Sequence, residues 1–364
     1  MSDVYAVIMA GGSGTRFWPA SRRLTPKQLL SIAPGSDESL IAGTVRRMAR
    51  ITSPENILIA TGKHLLAPTQ RQLPGVPRQN FLGEPVAKNT APCIGWATLI
   101  AARRNPKAII VVVPSDQYVA KEPAFRAAVK LAIRSAKSGV ITTVGVQPTR
   151  PETGYGYIEL GKSTDISGVH AVKRFVEKPD AKTARQYVKS GRYVWNAGMF
   201  IFRAADMLEA LETHLPELHA GLQSIDQAAA KSPAAEATAT RKLFAQTQSI
   251  SIDYGVMERA KRLNVVPASF GWSDLGSWES SWELGERDAD DNVAPESAVL
   301  VDAKRNLIWD ARPRAGNRVV ALVGVEDLCV IQTDDALLVI PRERAQDVRA
   351  VVDRLKAAKR DKLV

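Results

Sequence analysis

Residues 4–30 read VYAVIMAGGSGTRFWPASRRLTPKQLL. An apolar run of strand length, Tyr5–Ala10, empties into Gly11, Gly12 and Gly14, and the loop beyond carries Arg16 and Lys27. Glycines crowded behind a strand let the backbone approach a neighbour closely. Fixed cations nearby point to an anionic neighbour. Two phosphate loops are excluded at once. A P-loop places four residues between its first glycine and a Gly-Lys-Ser/Thr, whereas Gly14 is followed by Thr15 and Arg16. The dinucleotide fingerprint would start at Gly12-Ser13-Gly14, but Phe17 stands at its third glycine. Pro19 and Pro26 stiffen the segment that carries the two cations.

Outward from this stretch, strand-like runs recur at Ile57–Ala60, Ala108–Val113 and Ile141–Val146. Helical stretches lie between them at Leu40–Arg50, Thr90–Arg104 and Pro123–Ser138. The alternation predicts an α/β fold with a Rossmann-like mixed, mostly parallel sheet covered by helices. Ligands of such sheets bind beyond the carboxyl ends of strands. The glycine loop and VVVPSDQY (111–118) both fall there, which places them in one crevice. An Ala-rich stretch, 226–244, reads as two helices broken near Ser232-Pro233. The acidic, polar segment ERDADDN (286–292) reads as a linker between a catalytic domain, 1–285, and a small C-terminal β domain plus helix, 293–364. The latter holds the short strands SAVLVDA, NLIWDA, RVVALVG, LCVIQT and ALLVIP. Its last helix sets Val348, Val351, Val352 and Leu355 at helical spacing.

The 364 residues, 45% of them hydrophobic, suffice for one large core and a smaller one. Two distant cysteines, Cys93 and Cys329, build neither a disulfide framework nor a zinc site and suit a reducing cytoplasm. No signal peptide is read at the start, and no apolar run approaches the roughly 20 residues of a membrane span. The net charge of +11 suits an acidic partner, and it also serves plain solubility. Part of it lies between Arg342 and Lys362, where eight Lys/Arg face four Asp/Glu. That tail lacks the aromatic interleaving of single-strand nucleic-acid binders.

Among the acids, Asp116 follows a buried-type strand and Asp274 sits in the loop-like FGWSDLGSW (270–278). Carboxylates at strand ends beside a phosphate loop suit Mg²⁺, which takes one or two of them and keeps several waters. The competing reading is a turn cap. Arg16 can fork onto phosphate oxygens while Lys27 acts as a point charge, and a solvated basic loop is their bland alternative. None of the four histidines, His64, His170, His214 and His219, lies in a glycine loop or beside Asp116 or Asp274. A reaction whose nucleophile is already ionised needs no general base. A phosphate monoester, with a second pKa near ~6, is one. GEPVAKNTAP (83–92), ETGYGYIEL (152–160), RFVEKP (174–179) and WNAGMFIF (195–202) each join a glycine or proline to polar groups. Glu177 and Asn196 are suitable partners for sugar hydroxyls.

Taken together these stretches, with SIDYGVME (251–258), GWSDLGSW (271–278) and VALVGVEDLCVIQTDDALLVIPRERAQDV (320–348), resemble the sugar nucleotidyltransferase family over nearly the whole chain. Asn-Thr-Ala-Pro and Gly-Trp-Ser-Asp-Leu-Gly-Ser-Trp point to its guanylyl branch. The resemblance implies a nucleotidyltransferase domain followed by a β-helix-like domain. It further implies that Ala10, Gly11, Gly12, Ser13, Gly14 and Thr15 wrap the nucleotide, and that Arg16 and Lys27 stabilise triphosphate and pyrophosphate. By the same resemblance Asp116 and Asp274 hold Mg²⁺. Gly156, Glu177, Lys178 and Asn196 contact the sugar phosphate, and Glu84 and Asn89 lie near the base or ribose. Gln117 and Phe17 depart from the family's usual His and Leu, without removing a metal ligand or a cation.

The activity so implied is transfer of GMP from GTP to mannose 1-phosphate, giving GDP-mannose and pyrophosphate. The alternatives are another sugar 1-phosphate, such as a heptose phosphate, a non-catalytic GDP-mannose-binding regulatory relative, and a nicotinamide-dependent oxidoreductase, which Phe17 disfavours. Longer relatives carry a cupin-like isomerase domain. Residues 293–364 leave no room for it, so a monofunctional cytoplasmic transferase is expected, with no nucleic-acid or membrane partner. The short strands near the C-terminus have little chain to cover them, and a homodimer through this region is expected.

Overall fold

The computed structural model describes residues 3–12, 14–311 and 319–364. Its strands are β1 Val4–Ala10, β2 Ile57–Gly62, β3 Phe81–Glu84, β4 Ile109–Pro114, β5 Tyr118–Val119, β6 Ile141–Val146, β7 Tyr157–Ser163, β8 His170–Val176, β9 Tyr193–Arg203 and β10 Leu263–Ala268, then β11 Trp272–Ser273, β12 Val299–Val301, β13 Leu307–Asp310, β14 Ala321–Val323, β15 Leu328–Gln332 and β16 Leu337–Pro341. The α-helices are α1 Leu40–Met48, α2 Leu66–Gln72, α3 Thr90–Arg104, α4 Glu122–Ala136, α5 Ala181–Ser190, α6 Ala204–His214, α7 Pro216–Ala229, α8 Pro233–Gln246, α9 Trp278–Leu284 and α10 Val348–Ala357. Among the described residues no helix is long and apolar enough to cross a membrane.

The chain forms two compact units, each drawing on distant segments: residues 1–11, 45–115 and 119–272 in one, and 12–44, 116–118 and 273–364 in the other. The first is built on a nine-stranded sheet in the order β3-β2-β1-β4-β9-β6-β10-β8-β7. β1, β2, β3 and β4 run parallel, as do β6 and β10. β8 and β9 run against the strands they pair with. The sheet is therefore mixed and mostly parallel, as the alternation of elements implies. Parallel strands buried on both faces explain the unbroken apolar runs. Helices α3, α6, α7 and α8 bury one stripe each in the same core, through Ile94, Leu211, Leu222 and Phe244. The break between α7 and α8 falls where the sequence places it, with the Ser232 hydroxyl capping the backbone N–H of Ala235 at 3.1 Å.

The second unit contains a β-helix. β12 pairs in parallel with β14, and β13 with β15. Val299 meets Ala321, Lys304 meets Glu326 and Leu307 meets Cys329, so successive coils are offset by the same 22 residues. Buried asparagines tie the coils together. Asn306 donates through its backbone and side-chain nitrogens to Asn292 Oδ1 at 3.0 Å, and its own Oδ1 accepts from Leu328 N at 3.0 Å. β16 closes the end antiparallel to β15. The core of this unit reaches far back in sequence. Phe17, Trp18, Leu30 and Leu275 are buried with Leu338 and Ile340 of β16 and Val348 and Val352 of α10. The Trp18 indole N–H donates to the Leu363 carbonyl at 2.7 Å.

Candidate active site

The glycine-loop residues, the two cations and the two loop aspartates are held by a few short-range contacts. Gly14 sits at φ +57°, and a Cβ there would lie 2.5 Å from the Lys27 backbone nitrogen. Glycine is required twice over, for conformation and for closeness. Gly12, at φ +123°, is required for conformation alone, and Gly11 meets nothing within 4 Å of where its Cβ would be. Ser13 lies outside the described residues. After Gly14 the chain makes one 3₁₀ turn, Thr15–Phe17, with Phe17 N donating to Gly14 O at 2.9 Å.

That turn anchors Arg16 through its neighbours. Phe17 packs edge-on against Trp278, with ring centroids 5.0 Å apart, and the Trp278 indole donates to the Trp18 carbonyl at 3.1 Å. The two motifs TRFWP and WSDLGSW thus interlock. Across Gly276 the Asp274 carboxylate and the Arg16 guanidinium converge: a Cβ on Gly276 would lie 3.0 Å from Asp274 Oδ2 and 3.5 Å from Arg16 Nη1. Lys27 is buried, and its ammonium lies 3.0 Å from Asp116 Oδ2 and also donates to the Asp274 carbonyl. The two aspartates and two cations therefore share one small neighbourhood.

This donor set fits a divalent cation that takes few protein ligands. Among the described residues no cluster of three or more His, Cys, Asp or Glu could hold a metal. Two carboxylates beside a glycine loop suit a divalent cation that would keep water and substrate oxygens as its other ligands. The unit that holds Asp116 and Asp274 has no histidine among its described residues.

A second set of polar groups gathers within the nine-stranded unit. A register shift between β6 and β9 brings Asn196 opposite Gly145, a typical use of a bulge to re-aim a side chain. Asn196 N donates to Gly156 O at 2.8 Å. A Cβ on Gly156 would lie 2.5 Å from Glu177 Oε2 and 3.5 Å from Asn196 Nδ2, so both polar atoms converge on the space a side chain there would fill. Lys178, at φ +50°, brings its ammonium to 3.5 Å from Glu177 Oε1. Burial, with the Asp253 carboxyl nearby, pushes the Glu177 carboxyl up to about 7. Tyr155, Trp195 and Trp272 pack edge-on beside this group, with Tyr155 5.1 and 5.3 Å from the two indoles.

Glu84 and Asn89 belong to this unit as well. Glu84 ends β3 and is buried; burial raises its carboxyl, and a hydrogen bond with the Cys93 thiol opposes the rise. Asn89 Oδ1 accepts from Thr90 N at 2.9 Å and caps α3, so part of its role is structural. The Ala10 carbonyl accepts from the Thr61 hydroxyl at 3.0 Å. Sequence reasoning missed Asp253, Glu258 and Cys93. Asp253 and Glu258 lie in SIDYGVME, which carries part of the family resemblance but in which no residue is singled out by spacing or composition.

The chain matches the family described as nucleotidyl transferase over residues 5–291, and the MannoseP isomerase/GMP-like β-helix domain over residues 296–355. It is 41% identical to the xanthan biosynthesis protein XanB of Xanthomonas campestris pv. campestris, covering 99% of this chain and 75% of that protein. It is 38% identical to mannose-1-phosphate guanylyltransferase of Escherichia coli K12, covering 98% and 74%. The crystal structure of mannose-1-phosphate geranyltransferase from Thermus thermophilus superposes with a TM-score of 0.85 at 34% identity, over 97% of this chain and 99% of that one.

Proposed function

The chain belongs to the nucleotidyl transferase family, and from that premise we propose that it transfers GMP from GTP to mannose 1-phosphate, releasing pyrophosphate and GDP-mannose. A phosphate oxygen of the sugar phosphate attacks the α-phosphorus of GTP in line. The bond from that phosphorus to the oxygen bridging to the β-phosphate breaks, and pyrophosphate leaves with the electron pair. No proton need be removed from a nucleophile that is already anionic, which suits a unit holding Asp116 and Asp274 with no histidine among its described residues.

The observation that carries the reading is the joint placement of Lys27, Asp116, Arg16 and Asp274 around Gly14 and Gly276. Catalysis of this kind is positioning and charge stabilisation. Gly12 and Gly14 present backbone to the triphosphate. Gly11 needs glycine neither for φ nor for packing, and a closely approaching nucleotide supplies the missing reason. Arg16 and Lys27 offset the charge that moves onto pyrophosphate. Enzymes of this kind use a divalent metal. We take it to be Mg²⁺ held by Asp116 and Asp274, where it draws charge from the phosphate oxygens. Glu177 and Asn196 bind the sugar phosphate with Lys178 and Gly156, and Glu84 offers guanine an acceptor. In domain terms, residues 1–285 carry the chemistry and 293–364 form the β-helix domain with its helix.

The two buried, free cysteines fit a cytoplasmic enzyme. We also propose a homodimer through the β-helix. α10 covers one face of it, while Val299, Val301, Val323, Leu337 and Val339 are 47–65% exposed, and contiguous apolar exposure of this kind marks an interface. Light scattering tests this: the parent chain should be a dimer at micromolar concentration and a Val323→Lys/Val339→Lys double variant a monomer. A pyrophosphate-release screen of nucleoside triphosphates against sugar 1-phosphates tests the activity. GTP with mannose 1-phosphate should give the highest kcat/KM; a higher value for a heptose 1-phosphate would transfer the assignment to that sugar, and no turnover with any pair would overturn it.

A further inference from the structure

Asp253 opens the short π-helical turn Asp253–Met257, and none of the nucleotide or sugar roles above uses it. Its surroundings are specific. Asn196 Nδ2 donates to Asp253 Oδ1 at 2.8 Å, while Asn196 Oδ1 accepts from Gly198 N at 3.0 Å. A carboxylate can only accept and a backbone N–H can only donate, so the two contacts leave the Asn196 amide one orientation. One N–H of Nδ2 is spent on Asp253. The other is left on the atom that converges with Glu177 Oε2 over Gly156.

The turn itself is held from two sides. Ile252 N donates to the Thr90 hydroxyl at 2.8 Å, and Ala91 N donates to Ile250 O at 3.1 Å. Glu258, just past the turn, accepts from the Glu177 backbone N–H at 2.8 Å. The turn thus grips both the Asn196 side chain and the Glu177 main chain. The titratable groups that bear on Glu177 are Asp253 and Glu258 from this turn and Lys178 from its own segment, the lysine opposing the two acids.

We propose that Asp253 is a positioning residue for the sugar-phosphate pocket: it locks the Asn196 amide so that a donor faces the sugar phosphate, and it sets a second carboxyl group behind Glu177. The inference rests on the sugar-phosphate role proposed for Glu177 and Asn196. Two effects follow. Loss of the Asp253 acceptor leaves the Asn196 amide held through its oxygen alone, by Gly198 N at 3.0 Å and the Thr143 hydroxyl at 3.4 Å, so its Nδ2 donor is less firmly aimed and sugar-phosphate binding weakens. Loss of its negative charge lets Glu177 ionise at lower pH, because burial raises the Glu177 carboxyl first and the like charge of Asp253 raises it further.

Two variants separate these effects. Asp253→Asn keeps an oxygen for Asn196 Nδ2 and removes the charge; Asp253→Ala removes both. Steady-state pyrophosphate release, with GTP and mannose 1-phosphate varied in turn from about pH 5.5 to 8.5, on either side of the carboxyl's midpoint, reads both. Asp253→Ala should raise KM for mannose 1-phosphate about tenfold or more, the scale for a lost hydrogen bond to a charged group, with KM for GTP unchanged. Asp253→Asn should hold that KM within a few-fold at the alkaline end and move the limb of kcat/KM near neutrality to lower pH. The substrate's own ionisation is common to all the enzymes and cancels in the comparison. If Asp253→Ala fails to fold, the pH limb of Asp253→Asn decides. Glu177→Gln and Asn196→Ala serve as controls. If they raise KM for the sugar phosphate while the Asp253 variants change neither KM nor the pH limb, the inference is wrong. If the controls also leave KM unchanged, the sugar-pocket reading itself falls and takes the inference with it.

Discussion

The Lys27 ammonium stands 3.0 Å from the Asp116 carboxylate, with the lysine buried and the aspartate more than a third exposed. The aspartate thus keeps exposed surface while a buried cation holds one of its oxygens, as the proposed metal role would require. Asp116→Asn or Asp274→Asn should abolish nearly all metal-dependent turnover while leaving the thermal unfolding transition close to that of the parent. Normal Mg²⁺-dependent pyrophosphate release by Asp116→Asn would show that the metal binds elsewhere.

Replacing either cation should act on kcat. Charge gathers on pyrophosphate chiefly in the transition state, so Lys27→Ala and Arg16→Ala should each lower kcat by roughly 10²–10³, on the scale of lost oxyanion donors. KM for mannose 1-phosphate should change little. A rise in that KM with kcat preserved would assign both cations to the sugar phosphate instead.

Base choice should depend on Glu84. Guanine presents N1–H and N2–H₂ donors, and a pocket built to accept them is left mismatched by adenine. The Ala10 carbonyl already accepts from Thr61, which leaves the Glu84 carboxylate as the stronger acceptor. Glu84→Gln should lower the ratio of kcat/KM for GTP over ATP by about tenfold or more, within the range of one hydrogen-bonding group. An unchanged ratio would exclude Glu84 from base recognition.

Glu177 should carry a pH signature in stability. Its carboxyl in the folded chain is raised to about 7, by burial first and then by Asp253. The folded state therefore holds this proton more tightly than the unfolded state does. The stability so gained is present in acid and is lost as pH rises toward and through about 7. Glu177→Gln, which is neutral at every pH, should unfold at a higher temperature than the parent at about pH 8 and at nearly the same temperature at about pH 5. Equal melting temperatures at both values would show that the carboxyl is not strained.

Much of this was legible in the sequence. β1 is legible as an unbroken apolar run and α3 as the helical stretch Thr90–Arg104, and both signals are local. Gly12 and Gly14 are legible because only glycine readily tolerates their backbone angles. Strand direction is not legible. WNAGMFIF is rich in apolar residues, but nothing in its composition says that β9 runs against β4. Asp253 escaped for a related reason: its partner Asn196 lies 57 residues away, and a lone acid in a short turn has no period to betray it. The joint core of Phe17 and Val348 is likewise a fact of assembly.

That joint core bears on how such enzymes can be recombined. Cutting in the acidic linker and grafting the C-terminal portion of a relative looks like an exchange of modules along the chain. In space it replaces the wall against which Phe17 and Trp18 are packed, and Phe17 follows Arg16 directly in the chain. A chimera should therefore inherit its phosphate chemistry from both parents, and the pieces to be swapped as one are residues 12–44, 116–118 and 273–364 together.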